Sequence, residues 1–191
     1  LPTGRQYHTA TLLPSGQVLV VGGLGASALA SVELYNPLSN TWSVVAPLAT
    51  AHYLHTTTLL PGGLVLVAGG NDGSATLSSA QIYNPASNTW SATSSLSTVR
   101  QEHTATLLPS GKVLLAAGIG PGGSALNSAT LYDPANGTWS GAGFLGSARS
   151  QQTATLLPSG KVLVAGGYNV AINALSATEL YDPVNDTWSS L

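Results

Sequence analysis

The sequence predicts an all-β chain built from four copies of one four-stranded antiparallel unit, and three observations carry that prediction. The phrase HTATLLPSG at 8–16 recurs unchanged at 103–111, and returns as HTTTLLPGG at 55–63 and QTATLLPSG at 152–160. Each copy carries the same landmark residues at fixed distances. No segment sustains an apolar period of 3.6 residues, so no helix is expected.

The landmarks fall in columns. His8, His55, His103 and Gln152 open the phrase, at spacings of 47, 48 and 49. A glycine follows 15 residues later each time (Gly23, Gly70, Gly118, Gly167). Tyr35, Tyr83, Tyr132 and Tyr181 come next, and 7 residues after each stands a tryptophan: Trp42, Trp90, Trp139, Trp188. From each Trp to the next His-column residue is 13, so the length variation sits in the Gly-to-Tyr interval of 12, 13, 14 and 14.

Each unit reads as four short strands in order. TATLL and VLVVGG flank PSG, where Pro presets φ and Gly supplies φ > 0, the chemistry of a short hairpin. Both runs are apolar on both faces, as expected of a sheet sandwiched between neighbours. The third strand, SVELY in the first unit, alternates. It closes on NPLSNTW, or DPVNDTW in the fourth unit, an Asn/Asp-Pro turn leading into the fourth strand. One twisted four-stranded unit cannot bury both faces alone, so repetition gives each unit a neighbour.

Composition bounds the function. The 191 residues suffice for one domain with a core. Charged residues are 6% of the chain, against about 25% in an ordinary one, so Ser, Thr, Asn and Gly must supply solubility. A net charge of −2 gives no reason to expect nucleic acid or an acidic membrane as partner. The chain has no Cys, which removes disulfides, thiolate ligands and a cysteine nucleophile. No run of about 18 apolar residues could span a bilayer, and no targeting segment is recognisable.

Units of about 50 residues with a Gly doublet and a Tyr…Trp pair are the pattern of kelch repeats. The chain resembles that family over its full length, with VVGG, VAGG, AAG and AGG as the doublet and LYNP, IYNP, LYDP and LYDP around the Tyr; the third unit departs by having Ala117-Gly118. The resemblance implies a kelch-type β-propeller, a single domain over 1–191 with four-stranded blades at about 1–48, 49–96, 97–145 and 146–191. Three readings of closure fit: a closed four-blade ring, two chains completing an eight-blade ring, or a fragment of a longer array. An open stack would expose Leu, Val and Trp on its outer faces, which favours closure within one chain or between two.

In a propeller the fourth-to-first links and the second-to-third loops share one rim. The links are GRQYH (4–8), AHYLH (51–55), VRQEH (99–103) and ARSQQ (148–152); the variable loops are LGASALA (24–30), NDGSATLS (71–78), IGPGGSALN (119–127) and YNVAINALS (168–176). Kelch adaptors bind on this rim, as the family resemblance implies, and variable loops on a fixed frame are where specificity is placed. The column Arg5, His52, Arg100, Arg149 reads either as a ring of donors for carboxylates, sugar hydroxyls or peptide carbonyls, or as hydrogen bonding that every blade needs. Residues that the repeat does not require are the sharper candidates: His52, Tyr53, Glu102, Gln151, Tyr168 and Asn169; Tyr7, Asn71 and Asp72 complete the candidate rim. His8, His55 and His103 could ring a metal ion, but their fourth member is Gln152 and no carboxylate completes the set. NDG at 71–73 reads as a turn. Asn136-Gly137-Thr138 and Asn185-Asp186-Thr187 match a glycosylation acceptor, though turn chemistry explains the Asn equally well.

Galactose oxidase, which is built on a kelch-like propeller, has repeats similar to HTATLLPSGKVLVAGG, but its copper site uses a Tyr cross-linked to Cys and cannot form here. No nucleophile–base–orienter set and no close carboxylate pair is legible. The expectation is a non-catalytic binding module without cofactor, from a bacterial, secreted or cell-surface protein, its ligand a glycan or a protein. A purely structural array and the propeller portion of a larger oxidase are the alternatives.

Overall fold

The computed structural model describes residues 1–171 and 173–191; Ile172, in the fourth variable loop, lies outside them. Four antiparallel sheets follow the chain. The first holds β1 (Thr9–Leu12), β2 (Val18–Val21), β3 (Val32–Asn36) and β4 (Thr41–Val45); the second β5 (Thr56–Leu59), β6 (Val65–Ala68), β7 (Ala80–Asn84) and β8 (Thr89–Ala92). The third holds β9 (Thr104–Leu107), β10 (Val113–Ala116), β11 (Leu126–Asp133) and β12 (Thr138–Arg149). In the fourth variable loop β15 (Tyr168–Asn169) and β16 (Asn173–Ala174) form a small hairpin, and β13 (Thr153–Leu156), β14 (Val162–Ala165), β17 (Thr178–Asp182) and β18 (Thr187–Ser190) make the last sheet. A 3-10 turn at Pro121–Gly123 interrupts the third loop. No helix among the described residues is long and apolar enough to cross a membrane.

The chain divides into two compact units, Leu1–Val99 and Arg100–Leu191, each holding two of these blades. The second strand of each blade is buried along its length in blades two and three, as its apolar run predicts. The first strand is not: β1 alternates half-buried with exposed, and β5 and β9 are half-buried throughout. It is an edge strand with a neighbour on one side only, so the reading of both runs as apolar and covered on both faces holds for the second strand alone.

Register explains the Tyr and Trp columns. Tyr35 pairs Trp42 across the β3–β4 hairpin, and Tyr83–Trp90, Tyr132–Trp139 and Tyr181–Trp188 repeat the pairing. Ring centroids lie 4.8 to 5.1 Å apart, contact distance for tilted aromatic rings. Seven residues is the spacing that sets two side chains opposite each other across this turn. The turn holds Asn40, Asn88 and Asp186 at φ 52 to 53, and each carboxamide or carboxylate accepts the tyrosine hydroxyl at 2.8 to 2.9 Å. Asn136, in the matching turn, accepts from the Thr138 backbone and hydroxyl, so its side chain is part of the turn.

The glycine column answers to a second constraint. Gly70 has φ +97, and a Cβ there would lie 2.7 Å from the Tyr53 carbonyl oxygen and 2.8 Å from the His55 Cβ. One position earlier the doublet is also left-handed, and Ala117 adopts φ 59 there, fully buried; blade three accommodates a methyl group at that position, whereas in blade one a Cβ on Gly22 would lie 2.2 Å from the His52 carbonyl oxygen.

Within each unit the two blades meet in one seam. Leu13, Leu19, Val21, Val32 and Leu48 of blade one pack on Val65, Val67 and Tyr83 of blade two. Leu108, Leu114, Ala116, Ala129 and Leu145 of blade three pack likewise on Val162, Val164 and Tyr181 of blade four. Trp90 Nε1 donates to the Ala46 carbonyl and Trp188 Nε1 to the Ala142 carbonyl, both at 2.8 Å. Each tryptophan therefore buries its ring in the seam and satisfies its single donor.

Candidate functional site

At the loop end of every blade the chain repeats one backbone device. The residues of four pairs exchange both hydrogen bonds, at 2.7 to 2.9 Å: Gln6 with Leu24, Tyr53 with Asn71, Gln101 with Ile119, Ser150 with Tyr168. The link is thus zipped to the start of the variable loop. The next link residue is left-handed every time although none is glycine: Tyr7, Leu54, Glu102 and Gln151, at φ 55 to 58. That conformation costs a non-glycine residue on the order of 1–3 kcal/mol. It turns the chain so that the Leu54 N–H reaches the Tyr7 carbonyl at 3.1 Å and the Gln151 N–H reaches the Glu102 carbonyl at 3.2 Å.

The Arg/His column points inward. Arg149 is fully buried; its Nη1 donates to the Gly166 and Ala177 carbonyls, at 3.0 and 2.9 Å, and its Nη2 to Glu179. Arg5 makes the same bonds to Gly22, Ser31 and Glu33, with both side chains of the ion pair buried. Arg100 bonds Ala117, Ser128 and the Ser128 hydroxyl, but Thr130 stands where the acid stood. His52 replaces the guanidinium in blade two: Nδ1 lies 2.7 Å from the Gly69 carbonyl and Nε2 3.4 Å from the Ser79 hydroxyl. Each of the four joins the end of the second strand to the start of the third inside its own blade. The expected donor ring of Arg5, His52, Arg100 and Arg149 is therefore replaced by four internal clamps, because a side chain this short of exposed surface has its donors spent on carbonyls a strand away. Burial pushes Arg100 down to about 10 and His52 below its ordinary value, in spite of the Gly69 carbonyl.

The clamp's third-strand partners were not singled out in the sequence. Glu33 and Glu179 sit in the alternating third strand, where an inward carboxylate looked like an outward one. The available signal was pairing: Arg occurs with Glu in blades one and four, and His52 with Gln81 in blade two.

The His column builds the seam. His55 Nε2 lies 2.9 Å from the Thr9 hydroxyl, and the Gln152 amide donates to the Ala116 carbonyl at 2.9 Å and Thr104 Oγ1 at 3.4 Å. Burial first, then the neighbouring His52 and His8 rings, lower His55 to about 3, so it is a neutral ring at neutral pH. His103 is buried in the same position of blade three. Among the described residues no group of three or more His, Asp or Glu gathers as metal ligands.

What stays on the surface differs between units. In the first, Tyr7 is 52% exposed and its ring lies 6.4 Å from that of half-buried Tyr53. Tyr53 is zipped to Asn71, whose side chain accepts the Gly73 N–H at 2.7 Å; Asp72 beside it accepts the Ser74 and Ala75 N–H groups, both at 2.8 Å. NDG is thus a turn, and its backbone donors, Ala75 first, hold the Asp72 carboxyl below its ordinary value. Apart from the buried Arg5–Glu33 pair, Asp72 is the one formally charged side chain in residues 1–99. In the second unit Gln151 donates to Glu102 at 2.8 Å on the surface, Tyr168 is 42% exposed, and Asn169 is tied to the Ala148 carbonyl at 2.8 Å.

At the opposite, hairpin end a cavity of about 480 Å³ lies among Leu108, Pro109, Gly160, Lys161, Asp182 and Pro183. The first unit has the same cleft, about 290 Å³, among Leu13, Pro14, Gly63, Leu64, Asn84 and Pro85. A cleft that recurs wherever two PSG turns meet an Asn/Asp-Pro turn follows from blade packing. Lys161–Asp182, at 3.0 Å, and Lys112–Asp133, at 3.3 Å, occupy this end.

The family profile of the Kelch motif matches residues 7–49, 54–97 and 153–191, about two thirds of the chain. The unmatched stretch is most of blade three, which has Ala117 for Gly and two register shifts between β11 and β12. A mouse protein, Kelch-like protein 35, is 49% identical over 49 residues, 25% of this chain and 8% of that protein. The chain thus spans a small part of the curated relative it matches. Matched repeats, register and seams agree, and the chain belongs to the kelch-repeat family.

Proposed function

We propose that the chain is a non-catalytic interaction module that takes a protein ligand at its loop end, and that the Tyr7–Tyr53–Asp72 patch receives a basic side chain of that ligand. One observation carries the reading: the paired Tyr7 and Tyr53 rings sit on links of which one is zipped, Tyr53 to Asn71, to the turn that holds Asp72, and that unit exposes no other charged side chain. Aromatic faces attract cations within about 6 Å of the ring centroid, and an adjacent carboxylate selects a cation over an anion. The arginines that would have favoured an acidic ligand are inside the blades.

A glycan is the second reading, favoured by the exposed ring of Tyr168 in the other unit, since tyrosine offers sugars an apolar face and a hydroxyl. A secreted or cell-surface setting remains a proposal resting on composition, and the similar mouse protein does not bear on it.

Arrays of Arg/Lys-rich peptides, Asp/Glu-rich peptides and neutral oligosaccharides test the reading. Basic peptides should be retained and weakened by salt. Tyr53→Ala should lower their affinity about tenfold, or about 1.4 kcal/mol, with melting unchanged. Asp72→Asn, which keeps the turn acceptor, should lower the affinity and flatten the salt dependence. Retention of acidic peptides, or glycan binding indifferent to Asp72→Asn, would refute the cationic ligand.

A further inference from the structure

The four clamps serve as controls for one another, and blade two is the exception among them. In blades one, three and four a guanidinium lies between the second and third strands. Its Nη2 meets side chains at the start of the third strand: the Ser31 hydroxyl and Glu33 in blade one, the Ser128 hydroxyl in blade three, Glu179 in blade four. The matching residues of blade two are Ser79 and Gln81. His52, in the guanidinium's place, has a shorter side chain. Its Nδ1 donates to the Gly69 carbonyl at 2.7 Å, which leaves Nε2 an acceptor, 3.4 Å from the Ser79 hydroxyl.

Gln81 is underused beside its counterpart. Glu179 accepts from Arg149 and from the Gly146 and Ser147 N–H groups. Gln81 is 8% exposed, and among the described residues its Oε1 accepts only the Ala49 N–H, at 3.4 Å. A cleft of about 310 Å³ opens beside it, among Thr50, Ser79, Gln81, Trp90, Thr93 and Ser95, all inside the first unit. That is the small end of ligand pockets, about 300–1,000 Å³, with room for one side chain. Among the described residues no Lys, Arg, Asp or Glu lines it. A cation does not need an acid in this position, as blade three shows. Arg100 is buried there on the Ala117 and Ser128 carbonyls and the Ser128 hydroxyl, with Thr130 where the acid would stand.

We propose that the blade-two cleft receives an arginine side chain of the protein ligand, which supplies in trans the guanidinium that the other three blades carry themselves. The guanidinium donates to the Ser79 hydroxyl and the Gln81 Oε1, the counterparts of the groups that take Nη2 elsewhere in the chain. Trp90 offers aromatic surface on which a planar cation stacks. Lysine fits less well, because an ammonium is a point charge without the fork that spans two acceptors. That the arginine belongs to a protein ligand rests on the reading above; the preference of the cleft for a guanidinium does not.

The test is a titration of the isotope-labelled protein with N-acetyl-arginine amide, followed by NMR at the Gln81 side-chain amide and the Trp90 indole. Both signals should shift and saturate. N-acetyl-lysine amide should bind about tenfold more weakly, and N-acetyl-aspartate amide should leave both signals in place. Binding of the same probe at the Tyr7–Tyr53–Asp72 patch registers at the tyrosine rings instead. Shifts there with none at Gln81 and Trp90 would support the patch and overturn this site. His52→Arg combined with Gln81→Glu rebuilds the clamp of blades one and four. It should abolish the saturable shift at Trp90 and keep the circular dichroism spectrum. The wild-type comparison of the three probes decides the matter without that variant. Equal binding of the arginine and lysine probes, or saturable shifts with the aspartate probe, would overturn the proposal.

Discussion

Blade two holds blade one through His55, whose Nε2 lies 2.9 Å from the Thr9 hydroxyl; blade four holds blade three through Gln152, whose amide reaches Thr104 and the Ala116 carbonyl. The positions are equivalent and the bond runs to the same threonine, yet one side chain titrates and the other does not. The clamps vary in the same manner: Arg5 and Arg149 each meet a glutamate, His52 the Ser79 hydroxyl and Arg100 the Ser128 hydroxyl. The repeat therefore keeps hydrogen-bond geometry and lets charge vary, which is what a structural column does. A metal or substrate column would need its chemistry held constant instead.

The comparison breaks first at the clamps. Glu179 neutralises Arg149 and also accepts the Gly146 and Ser147 N–H groups, at 2.6 and 3.3 Å. Glu179→Ala leaves a buried guanidinium without its counter-charge, which costs about 3–5 kcal/mol. The equivalent change in blade three, Thr130→Ala, removes one bond to the Ser140 carbonyl and should cost about 1 kcal/mol. Urea unfolding of the two variants measures the contrast, and equal losses would mean that the acid contributes nothing to its clamp.

Gly70→Ala comes next. It asks an L-residue to hold φ +97 with its Cβ 2.7 Å from a backbone oxygen, and should cost roughly 3 kcal/mol. Thermal melts of Gly70→Ala beside Ala117→Gly contrast the two doublet positions, since blade three already carries a methyl group at the first.

The fold was legible because the repeat isolates what is obligatory. Tyr35 and Trp42 are seven apart because they face each other across a hairpin, and Gly70 recurs because a carbonyl lies against it. The loop end was legible only in part. Gln151 and Tyr168, which depart from the repeat, are exposed in the links and loops and Tyr53 is half-buried, whereas His52, which departs from it too, is buried. Arg5, Arg100, Arg149 and His52 occupy the same links, but their long or planar side chains turn back between two strands of their own blade. No local pattern distinguishes an arginine that reaches outward from one that reaches back, because the deciding partners, Glu33 and Glu179, lie 28 and 30 residues away. Division into two units is equally silent in sequence, where the four repeats are evenly spaced.

The central claim is that the recurring polar columns are structural and leave recognition to residues that do not recur. Its most direct measurement is the stability of His55→Gln across pH. The folded His55 ring binds its proton less tightly than an unfolded one, with values of about 3 against 6.5. Its contribution is therefore whole above pH 6.5 and is lost as pH falls toward 3, at up to about 1.4 kcal/mol per unit. Glutamine in its place should keep the bond to Thr9, leave stability at pH 7 within about 1 kcal/mol, and make the acid side of the profile measurably flatter. A large loss at pH 7 with the acid slope unchanged would contradict the account, since the ring would then be serving something other than this seam.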